Sequence, residues 1–137
     1  MPYDPMMVKP MRDEMVAMGA DELMTPEEVD AFLNKTEGTA LLFFNSVCGC
    51  AAGSARPGLA LSLQHTPAPD RVGTIFAGQD IEAAARAREK FPQYPSSSPS
   101  ILFLKNGEAV GYVHRTDIEG RDPRAVSEAL IVAYQQL

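Results

Sequence analysis

Apolar residues recur at two spacings along this chain, and the change from one to the other marks its elements. In MRDEMVAMGADEL, residues 11–23, Met11, Met15 and Met18 follow helical spacing, which predicts a first helix whose methionines pack into a core. The ten residues before it carry prolines at 2, 5 and 10 and are expected to run extended. TPEEVDAFLNKTEG, residues 25–38, predicts a second helix. Thr25 would cap it, Pro26 suits its first turn, Glu28 completes a capping box and Gly38 would close it. TALLFFNS, residues 39–46, then runs apolar without alternation, the pattern of a short strand buried on both faces.

AAGSARPGLALSLQHT follows and reads as a helix, although Leu59, Leu61 and Leu63 would also suit a strand. Pro57 would kink this helix or restart it. A second strand is expected at Val72–Ala77, and DIEAAARAREKF predicts a helix with Asp80 as its cap. PQYPSSSPS interrupts the chain as a constrained loop. ILFLKNGEAVGYVH reads strand, turn, strand, with Asn106-Gly107 able to take the positive φ of a hairpin turn. DPRAVSEALIVAYQQL is an amphipathic helix with Asp122 as cap and Pro123 at its first position. The resulting order is ααβαβαββα. Each β-α-β link implies parallel strands with right-handed crossovers, and the final hairpin adds an antiparallel edge. The expectation is a single domain over residues 1–137, an α/β fold with a central mixed sheet flanked by helices and an extra helix at the N-terminus.

Composition narrows the function classes. A chain of 137 residues with 45% apolar and 22% charged residues can bury its own core. A net charge of −6 argues against general nucleic-acid binding, which needs clustered Lys and Arg. No run approaches the roughly 18 apolar residues of a membrane helix. MPYDPMMVKPMRDEM has prolines and acids where a signal peptide has a basic end and an apolar stretch, so a cytoplasmic location is expected.

The chemistry concentrates in NSVCGCAAGSARPG, residues 45–58, which holds both cysteines of the chain. In a reducing compartment a permanent disulfide is disfavoured. Free cysteines are commonly small buried hydrophobes, yet two flanking one glycine, between a strand and a helix start, point to thiol chemistry. Backbone N–H groups at a helix start favour the thiolate, which makes Cys48 the candidate nucleophile. Cys50, one step into the helix and more enclosed, can attack a mixed disulfide on Cys48. A Cys48–Cys50 bridge closes a ring of roughly 11 atoms, against about 14 for a C-x-x-C pair. Gly49 helps by tolerating unusual backbone angles, but the ring should be strained and give up its bond readily. The rival is metal: a closed zinc site wants four ligands, and only His65 and His114 could join the cysteines, at no ligand spacing. No metal site is expected. A cysteine hydrolase lacks a partner arrangement, and Arg86, Arg88 and Lys90 read as the solvated face of a helix, with some capacity to attract an anionic thiol.

Several segments together resemble a known family. SPSILFLKNGEAVGYV is similar to the thioredoxin segment in which a cis-proline precedes a strand ending in a K-x-G-E turn. Pro57, nine residues after Cys48, resembles the proline that kinks the thioredoxin active-site helix. C-G-C followed by AAGSARPG, with MPYDPMMVKPMRDE and YPSSSPSILFLKNGE, resembles the bacilliredoxins, a bacterial branch of thioredoxin-like proteins. The resemblance runs over nearly the whole chain. It implies a thioredoxin-like three-layer fold and a cytosolic thiol–disulfide oxidoreductase that removes bacillithiol, a small thiol, from mixed disulfides with client proteins. Weak disulfide isomerase activity is also implied. By that match Cys48 is the nucleophile and Cys50 the resolving or protecting thiol. Pro99 is the cis-proline, and Ser98 offers backbone to an extended substrate. No bound cofactor is implied, and bacillithiol enters as co-substrate. The chain departs from thioredoxins in having no tryptophan and in placing Leu42 where they carry a buried acid. The alternatives are a disulfide isomerase or general exchange protein, and a non-enzymatic metal- or partner-binding module.

Overall fold

The computed structural model describes residues 3–137. Helices α1 (Pro5–Ala17), α2 (Pro26–Leu33), α3 (Arg56–Ser62), α4 (Ile81–Lys90) and α5 (Pro123–Gln135) surround strands β1 (Asp21–Glu22), β2 (Thr39–Asn45), β3 (Arg71–Phe76), β4 (Ser100–Lys105) and β5 (Glu108–Val113). The strands form one sheet in the order β1-β3-β2-β4-β5. β2 lies at its centre, and all its residues after Thr39 are buried. Alternate residues feed two cores. Leu41 and Phe43 pack with Met15, Leu59, Val126 and Leu130 from α1, α3 and α5. Leu42 and Phe44 pack with Val29, Phe32, Ala83 and Ala87 from α2 and α4. A three-layer α/β fold is the result.

Most elements lie where apolar spacing put them, with three corrections. The N-terminal segment is helical from Pro5 instead of extended to residue 10, and the helix stops at Ala17, short of Leu23. Pro5 falls in the first turn, where no backbone donor is needed, and Asp4 caps the helix by accepting from the Met6 N–H at 2.9 Å. Pro10 then removes only one internal hydrogen bond. Residues 1 and 2 of the extended expectation lie outside the described residues. Met15 is fully buried and Met18 packs against the same core, as the spacing implies.

The second correction concerns α2, which ends at Leu33. Thr25 caps it as expected by accepting from the Glu28 N–H at 3.2 Å, but Gly38 does not close it. Gly38 instead has a φ of +79° beside Asp70, at the entry to β2.

The third concerns strand direction. β3 is parallel to β2, as a β-α-β link predicts, whereas β4 is antiparallel to β2. The last turn of α4 lies at the end of the sheet where β2 ends. The Arg88 guanidinium in its last turn stacks 5.1 Å over Phe44, next to the carboxyl end of β2, and donates to the Ser97 carbonyl at 3.1 Å. β4 therefore enters from the edge at which β2 ends. β5 pairs antiparallel with β4 through the turn at Asn106 (φ 51°) and Gly107 (φ 83°).

Candidate active site

Three segments meet beyond the carboxyl end of β2. The first is the cysteine turn itself. Cys48 donates its N–H to Ser46 Oγ at 3.0 Å, and its carbonyl accepts the N–H groups of Ala51 and Ala52 at 3.0 and 3.3 Å. These are the opening bonds of a helix, so both thiols stand in its first turn. The helix does not continue with regular spacing: residues Ala51–Ala55 form a π-turn, closed by the Arg56 N–H donating to the Ala51 carbonyl. Pro57 explains the wide turn, because it has no N–H for the Gly53 carbonyl and its ring would crowd that carbonyl in a tight helix. The kink expected at Pro57 is therefore a π-turn, with α3 restarting at Arg56.

The second segment is a buried scaffold under the turn. Arg56 is only 2% exposed, and its Nη1 donates to Asn45 Oδ1 at 2.8 Å and to the Ser46 carbonyl at 3.1 Å. Glu14 of α1 lies 3.1 Å from Arg56 Nε, a contact of charges whose N–H is not aimed at the carboxylate. Asn45 in turn donates to the Met11 carbonyl at 3.2 Å and accepts from the Ser46 N–H at 2.9 Å. Arg56 thus ties α1, the end of β2 and the start of α3 into one unit.

The third segment comes from β4 and β5. The ladder between β2 and β4 ends at the pair Phe44 and Ser100, so Ser98 and Pro99 leave the sheet at the same edge as Ser46 and Cys48. The Ser98–Pro99 peptide is cis, as is Thr66–Pro67, which sequence reasoning did not single out. Pro99 is buried and Ser98 half-buried. Ser97 fixes the loop through its Oγ, which lies 3.0 Å from the Tyr112 hydroxyl and accepts the Arg115 N–H at 3.3 Å. Arg115 opens a short 3-10 turn, Arg115–Asp117, capped by His114. Its Nη2 donates to Cys48 Sγ at 3.3 Å, while its Nε pairs with Glu119.

Arg115, in contact with Cys48 Sγ, is a side chain that sequence reasoning missed. It lies in VHRTDIEG, where nothing but the nearness of β5's end to the cysteine turn could have marked it. The other expected residues fall as follows. His65 is exposed after α3, and His114 Nδ1 accepts the Thr116 N–H at 3.2 Å as a cap. Among the described residues no group of three or more His, Cys, Asp or Glu could hold a metal ion. Of the expected solvated stripe, Lys90 is exposed and Arg86 pairs with Asp30 at 3.1 Å, but Arg88 is turned inward over Phe44. Asp80 precedes α4 without capping it, because both its oxygens take the Arg12 guanidinium at 2.8 Å. Gly49 is exposed, has no positive φ, and has open space where a Cβ would stand.

The two thiols are free, with their sulfurs 2.8 Å apart and in different surroundings. Hydrogen bonding from the Cys50 thiol pulls the Cys48 titration below the ordinary thiol range, aided by the Cys50 and Ala51 N–H groups and the positive charge of Arg115. Burial pushes the Cys50 thiol up, and the neighbouring Cys48 charge pushes it further. Cys50 also packs against the α1/α3/α5 core. Cys48 therefore ionises more readily than Cys50, the order that suits an attacking sulfur with a latent partner.

Comparison with known proteins agrees with this chemistry. The family described as Disulphide isomerase matches residues 3–137. A bacilliredoxin of Shouchella clausii is 51% identical over 134 residues, covering 98% of this chain and 92% of that protein. The chain belongs to the bacilliredoxin family. A second bacilliredoxin, from Halalkalibacterium halodurans, is 53% identical over 125 residues, covering 91% of this chain and 86% of that one. Among solved structures, the oxidized mitochondrial thioredoxin 3 of Saccharomyces cerevisiae superimposes with a TM-score of 0.61 at 16% identity, over 90% of this chain and 99% of that one. The fold is therefore thioredoxin-like, and family and fold together make the chain a thiol–disulfide oxidoreductase. Leu42, where thioredoxins carry an acid, is fully buried in the α2/α4 core, on the sheet face opposite Cys50. No helix among the described residues is long and apolar enough to cross a membrane.

Proposed function

We propose that the protein removes bacillithiol from mixed disulfides with client proteins in a reducing cytosol. The observation that carries this reading is the half-buried Cys48 sulfur at a helix start, 2.8 Å from the Cys50 sulfur and 3.3 Å from Arg115 Nη2. The Cys48 thiolate attacks the sulfur of the small thiol. A Cys48–S bond forms, the mixed disulfide breaks, and the electron pair leaves on the client sulfur, which takes a proton from water. Cys50 then loses its proton and attacks Cys48 Sγ, forming the Cys48–Cys50 bridge and expelling the small thiolate. Alternatively, a second molecule of an external thiol clears Cys48 directly. Two electrons from an external thiol reductant reopen the bridge to the dithiol. We assign the seat of the client chain to Ser98 and Pro99, a reading supported by their place at the sheet edge where Cys48 stands.

The test is release of bacillithiol from a single-cysteine client protein. Cys48→Ala should abolish release, and Cys50→Ala should retain the first step while trapping the small thiol on Cys48. Equal rates in the wild type and Cys48→Ala would end the proposal. A second reading, disulfide isomerisation in proteins, is favoured by the description of the matching family. Recovery of a scrambled disulfide protein, measured beside bacillithiol release, separates the two, since an isomerase would be faster on the scrambled substrate.

A further inference from the structure

The short turn that carries Arg115 holds its own shape. The N–H groups of His114, Thr116, Asp117, Ile118 and Glu119 all find acceptors within residues 114–119. Its far end is anchored by Ile118, which is buried in the α1/α3/α5 core. The Arg115 N–H, at the near end, leaves the turn and donates to Ser97 Oγ at 3.3 Å. Ser97 directly precedes Ser98 and the buried Pro99. The loop assigned to the client chain and the arginine beside Cys48 therefore share one anchor.

Counting hydrogens gives the direction of every bond at this anchor. The Pro95 carbonyl has none to offer, so the Tyr112 hydroxyl, 2.8 Å away, donates its single hydrogen there. In the 3.0 Å contact between the two hydroxyls, Ser97 must then be the donor. That spends the Ser97 hydrogen and leaves its oxygen an acceptor for the Arg115 amide, which can only donate. A one-way chain runs from the Arg115 N–H through Ser97 and Tyr112 to Pro95, each bond polarising the next. Both inner members are also held from outside it. The Tyr112 ring lies against Tyr94, with centroids 5.0 Å apart, and the Ser97 carbonyl accepts Ser100 Oγ at 2.8 Å and Arg88 Nη2 at 3.1 Å. We infer that Ser97 is a positioning residue for Cys48: oriented by Tyr112, its hydroxyl fixes where the Arg115 turn begins and so keeps the guanidinium at the reactive sulfur. The inference rests on Cys48 as the attacking thiol and deepens that reading with a residue that acts on it through Arg115.

The readout is the pH midpoint of Cys48 alkylation by iodoacetamide, resolved by mass from that of Cys50. The titrating or charged neighbours of Cys48 are Cys50 and Arg115, with Glu119 paired to the same guanidinium. Ser97→Ala should raise the midpoint and slow alkylation at neutral pH by roughly two- to fivefold. Ser97→Thr, which keeps the hydroxyl, should restore both. Tyr112→Phe should give a smaller shift in the same direction, since Ser97 keeps its acceptor oxygen but loses what orients it. In the Arg115→Gln protein, adding Ser97→Ala should change nothing further. A wild-type midpoint in Ser97→Ala, or an equal shift with and without Arg115, overturns the inference. Should Ser97→Ala fail to fold, a wild-type midpoint in Tyr112→Phe overturns it. Alkylation uses no mixed disulfide, so these results leave the proposed transfer standing. Equal bacillithiol release by wild type and Cys48→Ala would end the transfer reading without moving the midpoints.

Discussion

Arg115 Nη2 lies 3.3 Å from Cys48 Sγ across 67 residues of chain, and the sulfur also faces the Cys50 thiol at 2.8 Å. These two neighbours act on Cys48 unequally. The Cys50 thiol is the larger cause of the lowered titration and the Arg115 charge a smaller one. The thiolate is the form that alkylates, so Cys48 should react with iodoacetamide at pH values below the ordinary thiol range and Cys50 only above it. Removing either neighbour raises the Cys48 midpoint and slows alkylation at neutral pH. The shift should be larger for Cys50→Ala than for Arg115→Gln. A pH series of alkylation rates, resolved by mass for each cysteine, checks the order. The reverse order would mean that charge, not the thiol hydrogen bond, dominates.

Arg56 carries a second prediction. Its guanidinium is buried against Asn45 and the Ser46 carbonyl, and Ser46 Oγ receives the Cys48 N–H. Arg56→Met keeps an apolar stem of similar length but leaves the Ser46 carbonyl short of a donor in a buried place. A loss of about 1–3 kcal/mol is expected in urea denaturation. Glu14, by contrast, is 47% exposed and can return to water. Glu14→Gln should cost no more than about 0.5 kcal/mol. Similar losses in the two variants would show that the ion pair, not the hydrogen bonds to the turn, is what Arg56 contributes.

What the sequence made legible follows the range of the forces involved. Local signals located β2, α4, the Asn106-Gly107 turn and the Asp122 cap to within a residue or two, because hydrophobic spacing and capping act over neighbouring positions. The same reasoning placed both thiols at a helix start. The two-residue β1 was invisible, since Asp21 and Glu22 are poor strand formers that pair only because β3 offers an edge. The direction of β4 was not legible because it depends on which end of the sheet α4 leads to, and no periodicity encodes that. Arg115 and Arg56 stayed hidden for the same reason. Each acts on a residue far along the chain or buried beneath it, and a lone arginine in a sequence reads as surface charge.

Packing of α3 on α5 gives a third prediction. A Cβ on Gly58 would stand 2.7 Å from Val126 Cβ and 3.0 Å from the Pro123 carbonyl oxygen, so the two helices can touch only while residue 58 lacks a side chain. Gly58→Ala should cost about 1–3 kcal/mol. Gly53, within the π-turn, has open space at the same position, and Gly53→Ala should be neutral or stabilising. Denaturation curves of the two variants under reducing conditions make the comparison. A tolerant Gly58→Ala would mean that α3 and α5 can part without loss, contrary to the packing of Leu59, Val126 and Leu130 in one core.

Gly49 separates the two redox states. In the free-thiol form it is exposed, lacks a positive φ and has nothing within 4 Å of where a methyl group would stand, so the reduced fold makes no demand for glycine there. Gly49→Ala should leave the reduced protein as stable as the wild type, or up to about 1 kcal/mol more stable. The bridged form is different: its ring of roughly 11 atoms forces the spacer away from helical geometry, where glycine has the wider choice of angles. The substitution should therefore disfavour the Cys48–Cys50 bridge and move the couple toward a less negative potential. Equilibration of both proteins against a graded dithiothreitol redox buffer, with thiol counting, measures the change. An unchanged potential would mean that the bridge closes without using glycine's freedom. The one-residue spacer itself, and not its identity, would then set the couple.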